Sequence, residues 1–111
     1  MRTSELTDAA LDWAVAMAEN WAGADFEVKP YSTDWAQGGP IIEREEINLL
    51  KRDDRPWSGY AYRYGKHKKL RGQRGCEIFR ATGPTPLIAA MRCYVASKLG
   101  DTIDIPEELC K

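Results

Sequence analysis

Tyr60, Tyr62 and Tyr64 stand at alternate positions and lead into a cationic run of Lys66, Lys68, Lys69, Arg71 and Arg74, with Arg63 set among the rings. Alternate residues of an extended strand share one face, so the three phenols would form a stripe. Aromatic platforms beside a row of cations suit single-stranded nucleic acid, because rings stack on bases while ammonium and guanidinium groups follow the phosphates. About five or six phosphate contacts would make such binding steeply salt-dependent. The plainer reading is a sheet covered by tyrosines and a basic turn that is merely solvated.

A second constellation lies at 32–43. Ser32, Thr33 and Asp34 can cap backbone donors, Gly38-Gly39-Pro40 reads as a tight turn, and Trp35 can anchor that loop on a core. A structural loop needs no ligand. As a site, Asp34, Trp35, Gly38, Gly39 and Pro40 would present a surface to a partner protein.

Catalytic patterns are thinner. Asp12, Asp25 and Glu27-Val28-Lys29 supply the acids and lysine of a metal-dependent nuclease, but Asp12 falls in an expected helix and carboxylates must converge on one ion. Gly59 and Gly65-Lys66-His67 depart from a phosphate-binding P-loop in spacing, and His67 replaces the hydroxyl residue. The acids at 43–46, 101 and 104, and 107–108 read as solvated surface. Cys76 with His67 is a conceivable dyad, although cysteine in strands and helices is commonly core. Cys76, Cys93, Cys110 and His67 lack the short-spaced pairs of structural zinc sites. No catalytic residue, metal or cofactor is assigned.

These groups sit in a chain of 111 residues, enough for one domain, 1–111, with its own core. The longest stretch free of ionisable residues, 81–91, is far short of the roughly 20 apolar residues that cross a bilayer. The opening residues lack an apolar signal core, so a soluble cytoplasmic protein is expected. Net charge is −1, yet residues 51–80 hold ten Lys or Arg against three acids, while the remainder holds six against fourteen. The cations are therefore concentrated in the segment that carries the tyrosines.

The elements that must position them alternate in period. Leu6 and Thr7 start a helix running to about Trp21, with Leu11, Ala14, Val15 and Ala18 on one stripe. Thr85 as cap, Pro86 at the first helical position and Gly100 beyond the end bracket a second helix, with Leu87, Ile88, Met91, Tyr94, Val95 and Leu99 on its apolar face. Between them, 47–50, 57–64 and 76–81 read as strands, with a turn at 53–56 and a long hairpin tip at 65–75. Phe26 with Val28, and 102–105, are further short strand candidates. The expected fold is α+β: an N-terminal helix, a central antiparallel sheet of three or more strands, and a C-terminal helix packed on that sheet.

Several runs resemble one family. They are TSELT at 3–7 with ALDWAVA at 10–16, YSTDWAQGGPIIERE at 31–45, and GPTPLIAAMRCYVASKLGD at 83–101. Together they resemble the NinX family of small proteins from lambda-like phages and enterobacterial prophages. The resemblance implies a phage origin and little chemistry, and the basic stretch 63–74 lies outside the runs that carry it. The resulting expectation is a non-enzymatic phage accessory protein that binds a host or phage macromolecule. Nucleic acid at the basic hairpin is one version. The other is a host protein or a second copy of the chain at the Trp35 and Gly38-Gly39-Pro40 loop, and no membrane partner is expected.

Overall fold

The segment at 85–100 folds as its punctuation requires. The Thr85 hydroxyl accepts from Ile88 N at 3.1 Å, Pro86 occupies the first turn, and Gly100, with φ of 92°, ends the helix by donating its N–H to the Ala96 carbonyl. The computed structural model describes residues 2–19, 28–64, 76–100 and 102–105, with the main chain alone at 62–64, 76 and 77. In chain order the elements are a 3-10 turn Thr3–Glu5, α1 Asp8–Glu19, α2 Trp35–Glu45, β1 Asn48–Leu50, β2 Trp57–Tyr64, β3 Cys76–Gly83 and α3 Pro86–Leu99. The fold is α+β, with the three strands in an antiparallel meander, β1-β2-β3.

Helix α3 lies at the centre. It packs on all three strands, while α1 and α2 pack on α3. Leu87, Ala89, Ala90, Met91, Arg92, Cys93, Tyr94, Val95 and Ala96 are consequently buried around its whole circumference, not along one stripe. The expected face of Leu87, Met91, Tyr94 and Val95 is correct but incomplete: the intervening alanines bring the helix close to the sheet. A Cβ at Gly59 would stand 2.9 Å from the Ala89 carbonyl oxygen, so only glycine lets β2 and α3 approach this closely. The stripe of α1, including Leu11, Ala14, Val15 and Ala18, is buried chiefly against α3 and not on the sheet.

The segment at 32–43 departs most from expectation. Gly38-Gly39-Pro40 does not turn but lies inside α2. Asp34 caps that helix, its carboxylate accepting from Ala36 N at 2.9 Å. Pro40 falls at the sixth helical residue, where its missing N–H costs the single bond to the Ala36 carbonyl. Tertiary packing outweighs the poor propensity of two glycines and a proline. Ile41 is buried, and Gly38 is pressed so close that a Cβ there would overlap the Tyr31 carbonyl oxygen and come within 2.6 Å of Leu87 Cδ1. Glu46 then closes the helix in the left-handed region, with φ of 53°.

Two short strands are also corrected. Val28 belongs to no strand and is 45% exposed, while Phe26 lies outside the described residues. At 102–105 there is only an isolated antiparallel bridge, Arg2 with Thr102, because the N-terminal segment turns into Thr3–Glu5 and offers no longer partner edge. The Thr3 hydroxyl donates to the Gly100 carbonyl at 2.6 Å and fastens the same junction.

Candidate nucleic-acid interface

Packing all helices on one side leaves the other side of the sheet without a described helix. Along β2, Gly59 and Ala61 are buried toward α3, so Ser58 and Tyr60 belong to the opposite face. On β3 the same alternation buries Ala81 and exposes Ile78, Arg80 and Thr82. The register sets Asn48, Tyr60 and Arg80 side by side in one row across the sheet, and Leu50, Ser58 and Thr82 in the next. The turn after β1 carries Arg52 and Arg55 over this face; Arg55 N donates to the Arg52 carbonyl at 3.2 Å, the bond that makes 52–55 a turn.

The result is a cleft of about 290 Å³ lined by Arg52, Arg55, Ser58, Tyr60, Arg80 and Leu50. Three arginines thus line the same cleft as the half-buried Tyr60. The acid paired to them among the described residues is Asp54, 3.8 Å from Arg55, and both side chains are largely in water, where such a pair holds little charge in place. Leu50 and Ile78, 43% and 51% exposed, give the face an apolar component as well.

Of the residues singled out in the sequence, Tyr60 is placed in this cleft. Tyr62, Arg63 and Tyr64 continue β2, opposite Ile78, Glu77 and Cys76 respectively. Lys66, Lys68, Lys69, Arg71 and Arg74, with the whole tip 65–75, lie outside the described residues. Sequence reasoning missed Arg52, Arg55 and Arg80 as partners of Tyr60. All three belong to the cation-rich stretch 51–80, but their meeting depends on strand register and the path of a turn, which composition does not encode.

The second constellation is not gathered into a loop. Asp34 is occupied as the α2 cap, Gly38 is buried under Tyr31 and Leu87, and Gly39 and Pro40 lie inside α2. Trp35 does not anchor on the core as expected: being the first residue of the helix, it is 52% exposed, beside a hollow of about 220 Å³ that also touches Thr85 and Ile88.

Asp12, weighed above as a nuclease ligand, accepts from Ser32 N at 2.8 Å and from Ser32 Oγ at 2.7 Å, tying α1 to the turn before α2. Asp25, Glu27, His67 and Cys110 lie outside the described residues. Cys93 is buried core, its thiol directed at the Phe79 carbonyl at 3.4 Å. Among the described residues no group of three or more His, Cys, Asp or Glu could hold a metal ion, and no helix is long and apolar enough to cross a membrane.

One ionic cluster escaped the sequence reading altogether. Where the C-terminal ends of α1, α2 and α3 meet around a cleft of about 570 Å³, Arg44 bonds Glu19 through both terminal nitrogens, at 3.1 and 2.5 Å, and bonds Glu45 through Nε at 2.9 Å. The Tyr94 hydroxyl donates to Glu19 and accepts from Arg44 at 3.2 Å, while Lys98 stands 3.4 Å from Glu45. Arg44 and Lys98 also lie 5.7 and 6.0 Å from the centre of the Tyr94 ring. Burial pushes the Glu19 carboxyl upward, but the bonds from Arg44 and Tyr94 and the charges of Arg44 and Lys98 outweigh it and hold the group below its ordinary range. The Tyr94 phenol is driven up, first by burial and then by the carboxylate it faces.

These observations define a small α+β fold with compensated charges at its helix ends and arginines on the sheet face that no described helix covers. The chain belongs to the NinX family of bacteriophage P22, whose model matches residues 2–98, and is thereby a phage accessory protein. The matched span runs through the basic stretch 63–74, beyond the separate runs that carry the resemblance in sequence. A comparison with curated proteins finds no match.

Proposed function

We propose that this protein works by binding, without catalysis, and that it holds single-stranded nucleic acid across the open face of its sheet. The observation that carries this reading is the convergence of Arg52, Arg55 and Arg80 on Tyr60. A phenol on a sheet face offers a stacking platform indifferent to base identity, and arginines around it can track phosphates on either side. The hairpin formed by β2 and β3 leads from this face into Lys66, Lys68, Lys69, Arg71 and Arg74, which extend the same positive charge in sequence. A double helix is rigid and presents its bases edge-on within grooves, so an aromatic ring presented on a sheet face suits unpaired bases.

The test is fluorescence anisotropy with labelled single-stranded DNA and RNA of mixed sequence at low salt. Wild-type protein should retain both, with log affinity falling by about 0.7 per phosphate contact for each unit of log salt concentration. Replacing Arg52, Arg55 and Arg80 together by Ala should flatten that slope by about 2. Replacing Lys66, Lys68, Lys69 and Arg71 by Ala should abolish retention at the same salt. Wild-type protein that retains no oligonucleotide in dilute buffer would sink the reading.

Trp35 favours a second reading, in which its half-exposed indole and the hollow beside Thr85 and Ile88 receive a host protein or a second copy of the chain. Trp35→Ala should then preserve the circular dichroism spectrum and lose both pull-down of a host protein and any dimer in sedimentation. If the variant matches wild type in both, this surface is not an interface.

A further inference from the structure

We infer that a pocket beside β3 is a phosphate-binding site, built around the guanidinium of Arg92 and completed by Arg2 and Arg80. Strand β3 is the outer strand among the described residues, and the 3-10 turn Thr3–Glu5, the Arg2 to Thr102 bridge and α3 border a hollow of about 380 Å³ beside it. Its lining includes Arg2, Ser4, Arg80, Arg92 and Thr102, and no acidic side chain among the described residues.

Arg92 is unusual. It is 9% exposed, its Nε donates to the Leu6 carbonyl at 2.8 Å, and its Nη1 donates to the Thr82 carbonyl at 2.7 Å. Two carbonyl dipoles orient a guanidinium but do not neutralise it, and no described carboxylate pairs with it. Burial accordingly disfavours its charged form. A buried, oriented cation costs folding energy unless a counter-charge arrives; an anion in the pocket would supply one, meeting the donors of Arg92 that the two carbonyls leave over and two further arginines of the lining. Phosphate matches that set: its oxygens accept from planar guanidiniums in pairs, and the Ser4 and Thr102 hydroxyls can donate to the remainder. The hollow has room for a phosphate that carries a substituent, so the shared chemistry is a phosphate or phosphomonoester dianion.

The site shares Arg80 with the proposed nucleic-acid face but does not rest on it. The test titrates the full chain, at constant ionic strength, with inorganic phosphate, with a nucleoside 5′-monophosphate and with the matching nucleoside, read by calorimetry and by thermal shift. Saturable binding and a raised Tm are expected with one or both phosphates and with neither nucleoside nor added chloride. Stronger binding of the monophosphate assigns a phosphomonoester, and equal binding assigns the free ion. Arg92→Ala removes two bonds that hold the fold together, so the diagnostic variants are Arg2→Gln and Arg80→Gln, each expected to weaken phosphate by about tenfold. Arg52→Ala with Arg55→Ala should leave phosphate binding intact, which separates this pocket from the sheet face. Absence of saturable binding, or binding that both glutamine variants leave unchanged, overturns the inference. An oligonucleotide bearing a 5′-hydroxyl that fails to bind, while phosphate still does, removes only the sheet reading.

Discussion

Arginine occupies two contrasting settings in this domain. At the helix ends Arg44 is met by Glu19 and Glu45 and shares Glu19 with the Tyr94 hydroxyl, so a cation from α2, an anion from α1 and a phenol from α3 form a closed network. Around the sheet, Arg52, Arg55 and Arg80 gather at Tyr60, and Arg92 lies buried against two carbonyls, with Asp54 the described carboxylate near any of them. Arg44 and Arg92 are thus both bonded into the fold, whereas the three arginines of the sheet face carry charge that the described residues leave largely uncompensated. A protein gains little by concentrating like charges against their mutual repulsion unless something else neutralises them: Glu19 and Glu45 do so at the helix ends, and on the sheet side the proposed polyanion would.

The largest effect that can break this contrast is on stability. Arg44→Ala strips Glu19 of two bonds and Glu45 of one, leaving two carboxylates that are only 21% and 14% exposed. Because Arg44 itself is half in solvent, the loss is moderate, about 1 to 2 kcal/mol in urea denaturation, with oligonucleotide binding unchanged. The triple Arg52, Arg55 and Arg80 variant should behave in the reverse manner, moving unfolding by no more than about 0.5 kcal/mol while weakening binding. If the triple variant unfolds as readily as Arg44→Ala, the sheet arginines are fasteners too and the division fails.

How far this division could be read in advance depended on whether the signal was local. α3 was legible end to end, because Thr85, Pro86 and Gly100 each act on backbone within one turn. β2 and β3 were legible from alternation, and β3 ran two residues further than expected, to Gly83. α2 was not, since Gly38-Gly39-Pro40 is a turn signal by local preference and becomes helical only because Gly38 lets Tyr31 and Leu87 close in. Tyr60 and the surrounding charge were seen as a candidate site, but the particular partners Arg52 and Arg80 required the register Asn48, Tyr60, Arg80. The Glu19, Arg44 and Tyr94 network joins residues 25, 50 and 75 positions apart, a distance at which neither spacing nor composition carries information.

A smaller effect sharpens the contrast through pH. Glu19 has its carboxyl held below the ordinary 4.5 in the fold, so the folded protein binds its proton less readily than the unfolded chain does. Its contribution is then fully present above 4.5 and is lost as acid protonates the folded form below that value. Glu19→Gln removes the titration and keeps most of the side-chain volume. The variant should be less stable than wild type at pH 7 by on the order of 0.5 kcal/mol, with the gap narrowing as the pH falls below 4.5. Added salt should narrow it as well, since part of the contribution is the charge of Arg44 and Lys98. A gap that stays constant from pH 7 to pH 3 would mean that Glu19 acts through shape and neutral hydrogen bonds alone, and the helix cluster would no longer count as the place where this protein spends its charge on itself.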